Sequence, residues 1–165
     1  MMGKTIILNL SDVILEGDIL DVGESYGVIY NLSKEVFDEL AIDYVEDNNK
    51  DILLSEGYDT CTIFFYLSDI WREGGRAKLI EDVTRFVKKG GNIYIWDINK
   101  EIGKVFNNKI RAVLPSEKIK EFEFKNLNIM SKSNLEDTKK LLEPNYKITE
   151  EKIWEDIYFV KGKKL

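Results

Sequence analysis

The sequence predicts a doubly wound α/β fold: a mostly parallel sheet with helices on both faces and an antiparallel strand at its C-terminal end. Two observations lead to this prediction. Short apolar segments of strand length alternate with segments whose apolar residues recur at helical spacing. The chain then closes with a helix and two further strands. Its 165 residues match the usual length of one domain, so we expect residues 1–165 to form a single domain.

The first half of the chain begins this alternation. Ile19–Val22 is a short apolar run followed by Gly23, which predicts a buried strand. Ala41–Val45 predicts the second strand, and Asn48 is suited to cap a brief helix containing Ile52–Leu54. Between the two strands, six apolar residues fall on one face of a predicted helix: Val28, Ile29, Leu32, Val36, Phe37 and Leu40.

The centre of the chain contains the strongest strand signal. Thr60–Leu67 is apolar on both faces, as expected in the middle of a parallel sheet. Leu79–Val87 has helical spacing, and the predicted helix ends at Gly90-Gly91. Asn92–Trp96 is the next buried strand. Strands that alternate with helices form parallel sheets with right-handed crossovers, so we expect these strands to lie parallel in one sheet.

The last third of the chain has a different pattern. Ile110–Leu114 and Ile119–Phe124 predict a hairpin around Pro115-Ser116, and Asn134–Leu142 predicts a helix. Two final strands, Tyr146–Trp154 and Ile157–Lys161, are joined through Glu155-Asp156 and close the sheet with the antiparallel element.

Composition excludes several kinds of chemistry. The chain has no histidine, which excludes Ser-His-Asp and Cys-His mechanisms and the usual zinc sites. Its single cysteine, Cys61, lies within an apolar run and is predicted to be a buried, inert thiol. The acidic stretch around Asp47 lacks the spacing of a calcium loop, so it predicts a solvated loop and no metal site.

Charge and hydropathy bear on partners and location. The net charge of −6 argues against a nucleic-acid partner, because phosphate binding favours a basic surface. No apolar run approaches the roughly 20 residues that a membrane span needs. Met1–Leu10 does not have the pattern of a signal peptide. We therefore expect a cytoplasmic protein with no membrane partner.

The segment Asp21–Gly27 follows the first strand, where doubly wound proteins bind ligands. Its glycines allow the backbone to approach a ligand closely. However, Gly23 and Gly27 do not have the spacing of the dinucleotide fingerprint, and a pyrophosphate would face Glu24. A cofactor that carries positive charge suits these acidic neighbours better.

Four segments, in order, resemble one known family. ILDVGESYG resembles motif I of the class I S-adenosylmethionine (SAM) methyltransferases, and AIDY resembles motif II. YDTCTIFFYLSDI is similar to the strand-four motif, and KLIEDVTRFVKKGGNIYIWDIN to the helix and strand-five segment. The resemblance covers residues 17–165 and implies a Rossmann-like methyltransferase fold. Only fourteen residues separate Asp43 from Tyr58, so we expect the third strand of the family, at the sheet edge, to be missing.

The resemblance implies SAM as the cofactor. By this likeness Asp43 would hold the ribose, and the other cofactor-binding candidates lie in two loops: Asp21, Gly23, Glu24, Ser25 and Gly27 around the methionine part, and Tyr66, Leu67 and Ser68 beside the transferable methyl group. No catalytic residue is identified, although Asp69 or Asp97 could accept a proton. Methyl transfer is an in-line displacement in which positioning supplies much of the rate, so the lack of histidine is no obstacle.

The sequence leaves two functions open. One is a methyltransferase that acts on an unidentified small molecule or protein. The other is a catalytically inactive binding or assembly module whose cofactor pocket has decayed, since Glu24 or Ser25 stands where the family has a second glycine. The sheet edge exposed by the missing strand is also available for pairing with a second copy, as a homodimer.

Overall fold

The computed structural model of the protein describes residues 3–33, 37–40 and 56–165, with backbone alone at 37–40. The described strands are β1 (Thr5–Asn9), β2 (Ile19–Val22), β3 (Phe37–Leu40), β4 (Tyr58–Phe64), β5 (Val87–Ile98), β6 (Phe106–Val113), β7 (Ile119–Asn126), β8 (Tyr146–Trp154) and β9 (Ile157–Lys164). The described α-helices are α1 (Glu73–Thr84) and α2 (Leu135–Leu142).

The main sheet has six strands in the order β3-β2-β4-β5-β9-β8. Strand β2 pairs in parallel with β3 and β4, and β4 pairs in parallel with β5. Strand β9 runs antiparallel to both of its neighbours, as predicted for the C-terminal end of the chain. The sheet is therefore mixed: its first four strands are parallel, and their carboxyl ends meet at one edge.

Both α-helices belong to the core on one face of this sheet. Leu79, Ile80 and Val83 of α1 are buried in a cluster with the β4 residues Cys61 and Ile63. Helix α2 begins where the Asn134 side chain accepts a hydrogen bond from the Asp137 N–H at 2.8 Å, which satisfies one free donor of the first turn. The predicted helix Asn134–Leu142 is thus confirmed.

The opposite face is covered by a second sheet, in the order β1-β6-β7. Strand β1 pairs in parallel with β6, and β6 forms the predicted hairpin with β7. Ile6, Leu8 and Ile110 of this sheet share a buried cluster with Phe64 and Trp96 of the main sheet. Helices were predicted on both faces. In the described part of the chain, a β-sheet covers this face and the α-helices lie on the other.

The predicted helix from Val28 to Leu40 is wrong where the structure describes it. Ile29–Leu32 forms a single 3₁₀ turn, and Phe37–Leu40 is strand β3. The apolar residues that share this spacing lie in two different environments. Ile29 and Leu32 are buried beneath the second sheet, while the backbone of β3 pairs with β2. The predicted strand Ala41–Val45 and the brief helix at Ile52–Leu54 lie outside the described residues.

Other boundaries also differ from prediction. Strand β4 is Tyr58–Phe64, so the last three residues of the predicted strand Thr60–Leu67 belong to the loop and 3₁₀ turn that follow it. Helix α1 ends at Thr84, so Val87 already belongs to β5, and Gly90-Gly91 lies within that strand rather than after a helix. Strand β1 was not predicted, because five residues carry little periodicity by themselves. No α-helix in the described ranges is long and apolar enough to cross a membrane.

Candidate cofactor site

Two loops meet where the parallel strands end. The turn Gly23–Gly27 follows β2, and the segment Phe65–Ile70 follows β4. Because β2 and β4 are paired neighbours, with Val22 opposite Ile63, the loops after them lie side by side. The structure therefore brings together the two groups of residues that the sequence suggested for cofactor binding.

The carboxylate of Asp21 holds the first loop to the sheet. Asp21 is buried, and its two oxygens accept hydrogen bonds from the Ser25 hydroxyl at 2.5 Å and the Thr62 hydroxyl at 2.7 Å. These bonds compensate for burying the charge. They also give Ser25, which stands where the family resemblance expects glycine, a structural role in closing the turn.

Gly23 packs directly against the ring of Tyr66. The φ angle of Gly23 is +86°, in the region that favours glycine, and a Cβ atom built on it would lie 2.5 Å from the Tyr66 Cγ. The close approach that the sequence assigned to a ligand is made here by a tyrosine ring. Gly23 and Tyr66, predicted from separate motifs, are thus in contact.

Strand β7 covers the other side of the first loop. Tyr26 stacks on Phe122 with ring centroids 4.3 Å apart and an interplanar angle of 7°. The Lys120 Nζ lies 3.8 Å from the position that a Cβ on Gly27 would occupy. Sequence reasoning missed this part of the site. The alternation of β7 predicts a strand, but it does not say which loop that strand covers.

Asp97 anchors the second loop from the end of β5. It is fully buried, and its oxygens accept hydrogen bonds from the Ser68 N–H at 2.9 Å and the Ile98 N–H at 2.8 Å. Burial raises the pKa of Asp97 to about 6, although a hydrogen bond from the Ser68 side chain and these two backbone hydrogen bonds oppose the shift. Asp97 thus holds the second loop in place, and burial makes its ionised form less favourable.

Acidic groups surround the hydroxyl of Tyr26. Burial, followed by the charges of Asp69, Glu24 and Asp97, raises the pKa of Tyr26 to about 12. Asp69 lies at the surface, where partial desolvation by neighbouring atoms raises its pKa. The carboxylates of this edge, offset in part by Lys120 beside Gly27, favour cationic ligands.

A buried arginine fixes the far end of the second loop. The Arg76 guanidinium donates hydrogen bonds to the carbonyl oxygens of Ile70 and Lys132, each at 2.7 Å, and of Ser68 at 3.5 Å. The Asn126 amide, from the end of β7, also donates to the Ser68 carbonyl, at 3.3 Å. Nothing in the sequence pattern distinguishes Arg76 from a solvated helix residue, so its role emerges only from the fold.

The predicted cofactor residues differ in exposure. Glu24 and Gly27 are exposed on the first loop, while Tyr66 is half-buried on the second. Leu67 is buried in the cluster beneath the helices, which makes it a packing residue. Asp43, predicted to hold the ribose, lies outside the described residues. The described residues contain no group of three or more carboxylate or cysteine side chains arranged to hold a metal ion.

Comparisons with known proteins bear on the fold. The sequence matches no protein-family model and no curated protein at a significant level. Solved structures do match. A SAM-dependent methyltransferase from Methanosarcina mazei is similar with a TM-score of 0.60 at 13% identity, covering 90% of this chain and 92% of that one. One from Mesorhizobium loti gives 0.59 at 10% identity, covering 88% and 90%.

A third neighbour was solved with a product of methyl transfer. The N-methyltransferase NodS from Bradyrhizobium japonicum, in complex with S-adenosylhomocysteine (SAH), gives a TM-score of 0.55 at 9% identity and covers 89% of this chain and 77% of that one. Such low identities establish architecture rather than activity. Within that limit the predicted resemblance is confirmed: the chain has the fold of the class I SAM-dependent methyltransferases.

Proposed function

We propose that the protein binds SAM at the edge beside Gly23 and is a methyltransferase for a small molecule or protein acceptor. The observation that carries the proposal is the group of carboxylates at the ends of three neighbouring strands: Asp21 on β2, Asp69 after β4 and Asp97 on β5. SAM carries a sulfonium and an ammonium group. Carboxylates that are partly or fully desolvated gain most from a nearby cation.

The assignment of residues follows the two loops. Gly23 and Glu24 would face the methionine part of the cofactor, and Tyr66 and Ser68 would border the methyl group. The role of Asp43 in holding the ribose stays part of the proposal.

Bound SAM supplies an electrophilic methyl group. The residues of the chain then have to orient the acceptor in line with it and exclude water. Both oxygens of Asp97 already accept backbone N–H groups, so we assign Asp97 to holding the loop. Asp69 is exposed and has a raised pKa, which makes it the better candidate to take a proton from an acceptor.

A second function, the inactive binding module, is favoured by one specific contact. The Tyr66 ring lies against Gly23, where the fold would otherwise leave room for a ligand. The stacking of Tyr26 on Phe122 closes the same loop from the other side. In this interpretation the fold is retained for its surface, and the ring has replaced the cofactor.

Titration calorimetry with SAM and with SAH tests the proposal. We expect saturable binding to the unmodified protein, and thermal stabilisation that grows with ligand concentration. Asp69→Asn should weaken SAM binding by roughly fivefold, the size expected for one partly exposed charge pair. Glu143→Gln, an exposed change at the end of α2, is the matched control and should have no effect. Asp43→Ala should weaken the binding of both SAM and SAH.

Tyr66→Ala separates the two functions. If the ring has replaced the cofactor, the unmodified protein will not bind SAM at millimolar concentration and the variant will. If the ring borders the cofactor, as we propose, the variant will bind more weakly than the unmodified protein. Absence of binding by both proteins, with circular dichroism showing that both are folded, would overturn the cofactor assignment.

A further inference from the structure

Two connected cavities lie outside the candidate cofactor site, the first at the amino-terminal edge of the parallel strands and the second along the outer face of the main sheet. The first, of about 770 Å³, is bounded by Gly17, by Asp59 at the start of β4, and by Lys88–Asn92 of β5. The second, of about 530 Å³, lies between β1 and the outer face of strands β5, β9 and β8. Ile14, Tyr94 and Lys161 line both, so the two cavities form one groove.

The second cavity is lined with aromatic rings. Tyr94 stacks on Trp96 with ring centroids 5.8 Å apart, and Phe159 lies 5.0 Å from Trp96. Trp154 lines the same cavity and donates a hydrogen bond from its Nε1 to the Ile7 carbonyl at 3.2 Å. The second sheet stops at β1, so Tyr94 and Trp154 are only half-buried. Concave surfaces of this size and composition are typical of small-molecule sites.

Lysine side chains lie where the two cavities join. The Lys161 Nζ is 5.1 Å from the centroid of the Tyr94 ring, and Lys89 lines the first cavity beside Gly90. Neither ammonium forms an ion pair with a carboxylate in the described ranges of the chain. Lys88, by contrast, is paired with Asp59 at 3.0 Å. Lys161, whose cross-strand neighbour is Glu150, therefore brings positive charge to the junction next to the aromatic rings, and Lys89 adds to it from the first cavity.

Carboxylates line other parts of the groove. Asp12 and Glu150 line only the aromatic cavity, and Glu16 lines only the other one. Lys152 also lines the aromatic cavity, with its Nζ 5.2 Å from the centroid of the Trp154 ring, so an anionic group in that cavity meets one ammonium beside Trp154 and another, that of Lys161, beside Tyr94. This arrangement also orients a ligand, because a ring attached to that group reaches Tyr94 and Trp154.

We propose that this groove binds a small planar aromatic molecule that carries an anionic group, either a carboxylate or a phosphate. The ring would pack against Tyr94 and Trp154, and the anion would be held by Lys161 and Lys89. Seven residues of β5, from Asn92 to Ile98, separate the first cavity from the candidate cofactor site, a distance of about 20 Å. The aromatic cavity extends along the sheet as far as Trp154, which is level with Ile98. None of the residues that line the two cavities belongs to the candidate cofactor site, so failure of either proposal leaves the other intact.

Calorimetry with three indole compounds tests the charge preference. Indole-3-acetate is the anionic probe, indole the neutral one and tryptamine the cationic one. We expect indole-3-acetate to bind most tightly and tryptamine least. Lys161→Met should weaken indole-3-acetate by roughly fivefold and leave indole unchanged, because it removes one charge and retains the apolar stem. Lys140→Met, on the exposed side of α2, is the matched control and should change neither.

Trp154 variants test the aromatic half. Trp154→Leu should weaken both indole-3-acetate and indole by roughly tenfold, as expected for the loss of one stacking face. Trp154→Phe should retain most of the affinity, and thermal melts establish that both variants are folded. Indoxyl phosphate identifies the anion, because it retains the indole ring and carries a phosphate in place of the carboxylate: tighter binding than indole-3-acetate would assign a phosphate, and weaker binding a carboxylate.

Three results would overturn the proposal. The first is no binding of any probe at millimolar concentration. The second is equal affinity for indole-3-acetate and tryptamine. The third is a loss of indole-3-acetate binding in Tyr66→Ala with no loss in Lys161→Met, which would place the probe at the opposite edge.

Discussion

Replacing Gly23 with alanine should destabilise the protein through two separate effects. At a φ angle of +86°, an L-residue is strained by about 1–2 kcal/mol relative to glycine. The new Cβ would lie 2.5 Å from the Tyr66 Cγ and 2.6 Å from its Cδ1. Relief of this overlap requires the ring or the loop to move, which costs a further ~1–3 kcal/mol. We therefore expect the free energy of unfolding to fall by about 2–5 kcal/mol.

Gly103→Ala is the matched control. Gly103 has a nearly identical φ angle of +88°, but a Cβ on it would meet no atom within 4 Å. It should show the conformational cost alone, about 1–2 kcal/mol. Urea unfolding followed by circular dichroism measures both changes, provided that the m-values agree.

The double variant Gly23→Ala, Tyr66→Ala isolates the contact. With the ring removed, alanine at position 23 should cost no more than it does at position 103, which gives a coupling energy of about 1–3 kcal/mol. If Gly23→Ala and Gly103→Ala cost the same amount with Tyr66 present, the ring does not explain the glycine. The close contact described at the candidate site would then be refuted.

Three further predictions concern buried polar groups. Because burial raises the pKa of Asp97 from 3.8 to about 6, its contribution to stability is fully present below about pH 4 and is lost as the pH rises through about 6, a change of roughly 3 kcal/mol. Asp97→Asn should remove this pH dependence from the urea midpoints measured between pH 4 and 7.5. A variant whose midpoints change with pH as much as those of the unmodified protein would contradict the raised pKa of Asp97. Replacing Lys100 with methionine should lower the free energy of unfolding by about 2–4 kcal/mol, because the carbonyls of Lys104, Asn128 and Ser131 lose the buried ammonium that donates to them. The exposed Lys104→Met is the control, and equal losses in the two variants would contradict the role assigned to Lys100. Cys61 is fully buried, and burial raises the pKa of its thiol, so a disulfide reagent should label it only after unfolding, and rapid labelling of the folded protein would disprove this.

The central strands could be predicted because each is defined by its own residues. Ile19–Val22 is a short apolar run that ends at Gly23, and Thr60–Leu67 is apolar on both faces, as expected in the middle of a parallel sheet. The topology rules then place the loops after them at one edge. The meeting of Gly23 with the Tyr66 loop follows from these two steps, before any contact is known.

The sequence predicted the wrong structure where one spacing of apolar residues is compatible with both a helix and a strand. Ile29, Leu32 and Phe37 have helical spacing, yet Phe37 pairs with Ile19 in the sheet. The spacing of apolar residues indicates which residues are buried. Residues buried beneath a second sheet can have the same spacing as residues on the buried face of a helix. Backbone pairing with β2, a tertiary contact, decided between them.

What the sequence alone determined is the order of its elements and the acidic character of the edge at which the parallel strands end. The tertiary structure decided what covers that edge and the face beside it. Strand β1 pairs with β6, so Thr5 lies beside Lys109, and Tyr26 stacks on Phe122. Such contacts join segments about a hundred residues apart, and their energy depends on the shapes of both partners at once. No window of local sequence contains both partners, so these contacts exist only in the folded chain.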